Sequence, residues 1–202
     1  MAPHDLLWPS SPTGLRSVYG ALPDWVNFAW PAVVRRAPAG PGWLPVGLRG
    51  DSRSLRHAAH LATDSIARSV TPESLTHAWR AHPELLVFNS VVLLKLLCST
   101  MQELGLVWGP TGSTGFALAT GYPVLRCDSD LDLVVRAEQP LTVQQVAVLS
   151  GLYCQGPCRV DVQIDTGLGA FAYSEWQRSP RKVLFKTVSG PRLTEDPWGR
   201  AS

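Results

Sequence analysis

The sequence predicts an α+β fold: a mixed sheet flanked by helices, with a small N-terminal β-containing subdomain before it in the chain. The central stretch, residues 106–135, has the pattern of a strand, a glycine-rich turn, a helix and a second strand. An alternating run at residues 158–164 predicts a further strand. With 202 residues, 45% of them hydrophobic, the chain is large enough for one domain with a small annex and a real core.

Residues 1–70 form the predicted N-terminal subdomain. Its first 31 residues are rich in Pro and Trp, which is typical of irregular backbone held by aromatic burial. Residues 24–30 predict a helical turn. Two short apolar runs, residues 32–36 and 44–48, predict a hairpin with a Pro- and Gly-rich loop.

Several arginines gather in this subdomain. The predicted hairpin would bring Arg35 and Arg36 near Arg49, and a possible helix follows Gly50. That helix would carry Arg53, Arg56, His57 and His60. The cluster is either a solvated basic face or a clamp for phosphates or an acidic partner.

Residues 71–202 form the predicted catalytic domain. Thr71 as N-cap, Pro72 at the first helical position and Glu73 in the first turn predict a helix that ends near His82. A second helix is predicted from Pro83 to about residue 104, with Gly105 as its end. Its apolar face comprises Leu86, Leu93, Leu94, Leu97 and Met101.

The central stretch contains a predicted phosphate-binding turn. A strand at residues 106–108 leads through a Gly- and Pro-rich turn to Gly112 and Ser113, and a helix is predicted at residues 114–120 with Gly121 as its stop. Free backbone N–H groups and the positive dipole end at such a helix start bind phosphate. Ser113 is also a possible N-cap, and the two roles are compatible.

Carboxylates alternate along the strand that follows. Asp130 and Asp132 are two residues apart and therefore share a face, where they repel each other unless a cation lies between them. Mg²⁺ takes such hard oxygen ligands together with water and substrate phosphate. Asp128 has the same parity, but its position favours a loop residue.

A third carboxylate is predicted on the strand at residues 158–164. Phosphoryl transfer with two metal ions needs an acid that binds one ion and helps to deprotonate the nucleophile. Asp161, between two hydrophobic residues, is the preferred candidate, and Asp165 at the strand end is the alternative. Thr142 caps a predicted helix before this strand.

The remaining elements and the composition complete the prediction. We expect a short helix at residues 175–177, a last strand at 183–188, and a Gly-Pro turn with a tail around Trp198. A net charge of +2 is too small to indicate nucleic-acid binding. The four cysteines lack metal or disulfide spacing, and no signal peptide or membrane-spanning run is present, so we expect a cytoplasmic protein with no membrane partner.

These motifs resemble a known family. Gly112-Ser113 followed by Asp130-Leu131-Asp132-Leu133 resembles the signature of polymerase-beta-type nucleotidyltransferases. The fuller strings WGPTGSTGFALATG and SDLDLVVR resemble the phosphoribosyl-dephospho-CoA transferase, or holo-acyl-carrier-protein synthase, of malonate decarboxylase. Further matching strings are HDLLW (4–8), LPVGLRG (44–50), RVDVQIDT (159–166) and GPRL (190–193).

The resemblance implies a specific reaction and a nucleotidyltransferase-type sheet. The donor would be 2′-(5″-triphosphoribosyl)-3′-dephospho-CoA, the acceptor a serine of the malonate decarboxylase apo acyl-carrier protein, and the leaving group pyrophosphate. Asp130, Asp132 and Asp161 would be the catalytic carboxylates and would bind Mg²⁺, while Gly112 and Ser113 would bind the phosphates. The N-terminal subdomain would bind substrate or partner.

Three alternatives stay open at this point. An ATP-dependent adenylyltransferase of a small molecule or protein shares the Gly-Ser and Asp-x-Asp motifs. The equivalent synthase of citrate lyase acts on another carrier protein, although the extended WGPTGSTGF string argues against it. A non-catalytic nucleotide-binding module is the third, but loss of catalysis usually erodes carboxylates that are all present here.

Overall fold

A computed structural model of the chain describes residues 1–52, 54–152, 156–179 and 181–199. The chain divides into two compact units, Met1–Thr71 and Pro72–Ser202. Each unit contains a six-stranded sheet, and helices accompany the second sheet. The predicted α+β class is confirmed.

The first unit is built on antiparallel strands. They are β1 (Leu6–Pro9), β2 (Leu15–Ser17), β3 (Ala32–Val34), β4 (Trp43–Arg49), β5 (Arg56–Ala62) and β6 (Ile66–Val70), in the order β2-β5-β4-β3-β1-β6. Apolar side chains that alternate along the strands form the core, among them Leu7, Val46 and Leu61. The predicted hairpin is present as β3 and β4, in which Val34 pairs with Val46.

Two expectations for this unit were wrong. The residues that follow Gly50 form β5 instead of a helix, because Ala59 and Leu61 alternate into the core and β5 pairs with β4 along its length. Arg53 lies outside the described residues. The Arg35 N–H donates to the Pro45 carbonyl at 2.8 Å, and the Arg35 side chain lies over Gly47, two residues before Arg49. The approach of Arg35 and Arg36 to Arg49 stays a prediction. Residues 24–30 form separate turns rather than a helical turn.

The second unit contains the mixed sheet. Its strands are β7 (Val107–Pro110), β8 (Leu131–Arg136), β9 (Val160–Asp165), β10 (Ala170–Ala172), β11 (Val183–Thr187) and β12 (Gly190–Thr194), in the order β12-β11-β10-β9-β8-β7. β8 and β9 run parallel, and the other neighbours are antiparallel. The sequence missed β12, because this edge strand begins with Gly190-Pro191 and lacks a buried face.

Four α-helices occur among the described residues of this unit: α1 (Asn89–Glu103), α2 (Gly112–Thr120), α3 (Val143–Leu152) and α4 (Tyr173–Arg178). The predicted start of α3 is confirmed, since the Gln145 N–H donates to Thr142 Oγ1 (3.2 Å) and the Thr142 N–H donates to Gln145 Oε1 (2.9 Å). No helix in the described part of the chain is long and apolar enough to cross a membrane.

Of the two helices predicted before β7, the first is absent and the second is shorter than expected. The first is replaced by 3₁₀ segments at Pro72–Leu75 and Ala78–Arg80, and the second begins with another at Pro83–Val87 before α1. Extended backbone at Phe88 separates that segment from α1. Leu75 is buried and Glu73 binds a β8 side chain, so packing on the sheet overrides the helix-start signal.

Candidate active site

The glycine-rich turn lies directly over one end of β8. α2 begins at Gly112, and the Thr111 N–H that precedes it donates to the Asp132 carbonyl at 2.8 Å. Gly112 has φ 59°, a left-handed conformation that favours glycine, and a Cβ at this position would collide with the Asp132 carboxylate. Glycine is therefore required here both for backbone conformation and for the approach of the acid.

Ser113 is the second residue of α2. The N-cap is Thr111, which makes no capping side-chain hydrogen bond, so Ser113 is not the N-cap. Its half-buried side chain lies in the first turn, where backbone N–H groups have no partner within the helix. The predicted end of α2 is confirmed, because Gly121 has φ 72° and its N–H donates to the Ala117 carbonyl.

Two of the predicted carboxylates lie side by side on parallel strands. Asp132 on β8 and Asp161 on β9 are direct register partners, and both are half-buried. Paired residues of neighbouring strands point to the same face with the strands about 4.8 Å apart. The Leu131 N–H donates to the Arg159 carbonyl at 2.9 Å and fixes this register at the start of both strands.

Asp130 immediately precedes β8 and is half-buried, and its charge acts on Arg159 together with that of Asp132. A small turn holds it there. The Arg126 N–H donates to Ser129 Oγ (2.9 Å), the Ser129 N–H donates back to the Arg126 carbonyl (3.1 Å), and Ser129 is buried. Asp128 lies exposed within this turn. Sequence reasoning missed the structural role of Ser129 in this turn. Its position directly before Asp130 was the signal that could have indicated that role.

Arg159 is a further charged group of this face that sequence reasoning missed. Its Nη2 donates to Asp161 Oδ1 at 3.0 Å. The hydrogen bond and charge of Asp161 raise the pKa of Arg159, and the charges of Asp130 and Asp132 raise it further. The signal in the sequence was a basic residue two positions before Asp161, which shares its strand face.

Asp165, the alternative third carboxylate, belongs to a different cluster. Arg136 Nη1 donates to Asp165 Oδ2 at 2.6 Å, and Arg136 Nε donates to Glu73 Oε1 at 2.9 Å. The Gly167 N–H donates to the other Asp165 oxygen at 3.0 Å. Four residues along a strand separate Asp165 from Asp161 by roughly 13 Å. The structure thus places Asp161 beside Asp132, and Asp165 in a buried ion pair.

Comparison with known proteins identifies the relatives of this chain. The family models of the phosphoribosyl-dephospho-CoA transferase MdcG N-terminal and C-terminal domains match residues 2–72 and 76–197. This chain belongs to the phosphoribosyl-dephospho-CoA transferase family. No solved structure gives a significant match.

Relatives in this family align over nearly the whole chain. The phosphoribosyl-dephospho-CoA transferase of Azotobacter vinelandii (strain DJ / ATCC BAA-1303) is 42% identical over 201 residues, which cover 97% of this chain and 93% of the relative. The Pseudomonas putida protein of that name is 41% identical over 201 residues, with coverage of 97% and 94%. The Klebsiella pneumoniae (strain 342) protein is 42% identical over 202 residues, with coverage of 98% and 96%.

The paired acids Asp132 and Asp161 suit a divalent cation whose remaining ligands are water and phosphate oxygens. Within residues 1–52, 54–152, 156–179 and 181–199, no three or more His, Cys, Asp or Glu side chains form a group ready to hold a metal ion. Mg²⁺ commonly uses one or two carboxylates and takes water and phosphate oxygens as the rest. Asp132 and Asp161, beside the close approach at Gly112, fit that pattern. The three-carboxylate Mg²⁺ site stays a prediction.

Proposed function

We propose that this protein transfers the phosphoribosyl-dephospho-CoA group from 2′-(5″-triphosphoribosyl)-3′-dephospho-CoA to a serine of the apo acyl-carrier protein of malonate decarboxylase. The observation that carries the proposal is the pairing of Asp132 and Asp161 under the glycine turn at Gly112. A family match over both units supports the donor. The matching strings of the sequence support the carrier protein.

The chemistry is an in-line displacement at phosphorus. The serine oxygen forms a bond to the α-phosphorus of the triphosphate, and the bond from that phosphorus to the bridging oxygen breaks. Pyrophosphate leaves with the electron pair, and the product is a phosphodiester. Such a reaction needs positioning and charge stabilisation more than covalent help from the protein.

The start of α2 would hold the phosphates of the donor. Its first N–H groups and the positive end of its dipole would face the anion, and the absence of a side chain at Gly112 would let an oxygen approach the backbone. Ser113 would add a hydroxyl donor in the first turn. These groups would bind the leaving pyrophosphate as its charge develops.

Asp130, Asp132 and Asp161 would hold Mg²⁺. When bound, Mg²⁺ neutralises the triphosphate and lowers the pKa of the attacking hydroxyl. Asp161, half-buried beside Asp132, would orient the serine hydroxyl and accept its proton. The chain's own part is therefore to align acceptor, phosphorus and leaving group.

The mixed sheet, with acids on the neighbouring parallel strands β8 and β9, supports a nucleotidyltransferase-type arrangement.

The first unit would bind the donor or the carrier protein. Residues 1–71 contain seven Arg and four Asp, and neither Lys nor Glu. The resulting positive charge favours an anionic ligand, either the CoA phosphates or an acidic carrier surface. The arginines are distributed along several strands of this unit, which favours an extended partner over a single phosphate.

The test is transfer followed by intact mass. Protein, Mg²⁺, donor and apo carrier protein are incubated, and we expect the carrier to gain the mass of the donor minus pyrophosphate on one serine. EDTA should abolish the gain, and a carrier with that serine replaced by alanine is the matched control. A citrate lyase carrier offered in parallel tests the choice of acceptor.

Other outcomes would identify another function. Labelling of a protein or small molecule by ATP, with the CoA-derived donor ignored, would contradict the proposal in favour of an adenylyltransferase. Tight binding of one nucleotide without reaction of either would indicate a non-catalytic binding module.

A further inference from the structure

Arg159 combines a fixed backbone position with an exposed head group. Its carbonyl accepts the Leu131 N–H at 2.9 Å, so the residue is anchored where β8 and β9 begin. Its side chain is 72% exposed, and its Nη2 donates to Asp161 at 3.0 Å. A long side chain rooted at the edge of the site can reach either the carboxylates or a ligand above them.

The ion pair of Arg159 contributes little to stability. Pairs between exposed charged groups are weak because water screens them and two side chains lose freedom. The side chains of Arg159 and Asp161 are 72% and 39% exposed, so their ion pair is of this weak kind. Arg159 instead supplies a positive charge beside the negative charges of Asp130, Asp132 and Asp161.

A cation bound to the acids changes the preferred partner of Arg159. Once a divalent ion occupies Asp132 and Asp161, it repels the guanidinium from the same oxygens. The nearest new anion is then the triphosphate that the carboxylates and α2 hold in the proposed function. A guanidinium matches two phosphate oxygens at once, which makes it a better partner for phosphate than lysine.

We propose that Arg159 is a positioning residue with two successive partners: Asp161 before the donor binds, and a phosphate oxygen of the donor afterwards. This inference rests on the proposed function and assigns a residue to its donor-binding step. In the first state Arg159 competes with the divalent cation. In the second it aligns the triphosphate.

The two states give opposite effects in one variant, Arg159→Gln. Without donor, Mn²⁺ used as a probe should bind more tightly, by up to about fivefold, because a competing charge is gone. With Mg²⁺ and carrier protein, the KM for the donor should rise about tenfold, because a charge-assisted hydrogen bond to phosphate is lost. Mn²⁺ binding is measured by electron paramagnetic resonance and the KM by intact-mass kinetics.

Two further variants control the measurement. Arg159→Lys keeps the charge and loses the planar fork, so its Mn²⁺ affinity should stay near wild type while its donor KM rises by an intermediate factor. Arg178→Gln removes an exposed arginine of α4 that binds the Ser174 carbonyl, and both values should remain those of wild type. Because Arg159 is exposed, thermal unfolding should be the same in all variants.

Unchanged or weaker Mn²⁺ binding in Arg159→Gln overturns the first state, and an unchanged donor KM overturns the second. Either result, obtained with a wild type that modifies the carrier, defeats this inference and leaves the proposed function intact. Failure of the wild type to modify the carrier defeats the proposed function. In that case the donor-free Mn²⁺ comparison still decides whether Arg159 competes for the carboxylates.

Discussion

Separate replacement of the two aspartates of β9 distinguishes a chemical role from a structural one. Asp161 is 39% exposed and its Arg159 partner 72% exposed, so Asp161→Asn should lower the free energy of unfolding by less than about 1 kcal/mol. Asp165 is only 6% exposed and binds Arg136, which is 17% exposed. Asp165→Ala leaves that arginine without its shortest contact.

The expected loss for Asp165→Ala follows from burial. Removal of one partner of a buried ion pair costs about 3–5 kcal/mol. Arg136 retains Glu73 at 2.9 Å and some access to water, which places the loss at or below the lower end of this range. We expect about 2–3 kcal/mol, equivalent to a decrease in Tm of roughly 5–10 °C for a chain of this size.

Calorimetry and the intact-mass transfer assay measure the two effects. Asp161→Asn should retain its Tm within about 2 °C and lose transfer by about 100-fold or more. Asp165→Ala should unfold earlier and, below its transition, transfer at close to the wild-type rate. The reasoning is refuted if Asp165→Ala keeps the wild-type Tm and loses transfer, since the two aspartates would then have exchanged roles.

Three further substitutions have distinct expected outcomes. Gly112→Ala combines a left-handed φ with a collision against Asp132, so the free energy of unfolding should fall by about 1–2 kcal/mol and most transfer activity should be lost. The control Gly105→Ala, at a position with φ 63° and open space around it, should be less stable but retain transfer activity. Asp132→Asn should abolish transfer with an equal or slightly higher Tm, because repulsion between acids falls; a retained rate contradicts its assignment. Thr142→Ala should cost about 1 kcal/mol by calorimetry without affecting transfer, whereas Thr142→Ser should cost little.

Local chemistry was enough to predict the centre of the second unit. The glycine turn, α2 and β8 follow from residues close in sequence. A left-handed stop at Gly121 and the alternation at 130–133, which continues into an apolar run, need no distant partner. The capping box of α3 is local in the same way. The candidate acids were chosen from the same pattern, and their catalytic role stays a prediction.

Elements that depend on distant partners were predicted poorly. β5 carries charged and histidine residues that also suit a helix, and its pairing with β4 decides its conformation. β12 needs β11 as its neighbour, because its own side chains are largely exposed. The contact of Arg159 with Asp161 is local, but its approach to Asp132 depends on the register of two parallel strands, which sequence spacing does not specify.

The most direct test of the account is the location of metal and phosphate in a crystal of the protein with Mn²⁺ and the donor. Anomalous diffraction should place Mn²⁺ at roughly 2.1 Å from oxygens of both Asp132 and Asp161, with a triphosphate oxygen as a further ligand. The same triphosphate should contact the backbone N–H groups at Gly112 and Ser113. A metal bound at Asp165 and Glu73, or a triphosphate distant from α2, would contradict the claim that the turn and the paired acids form one phosphoryl-transfer site.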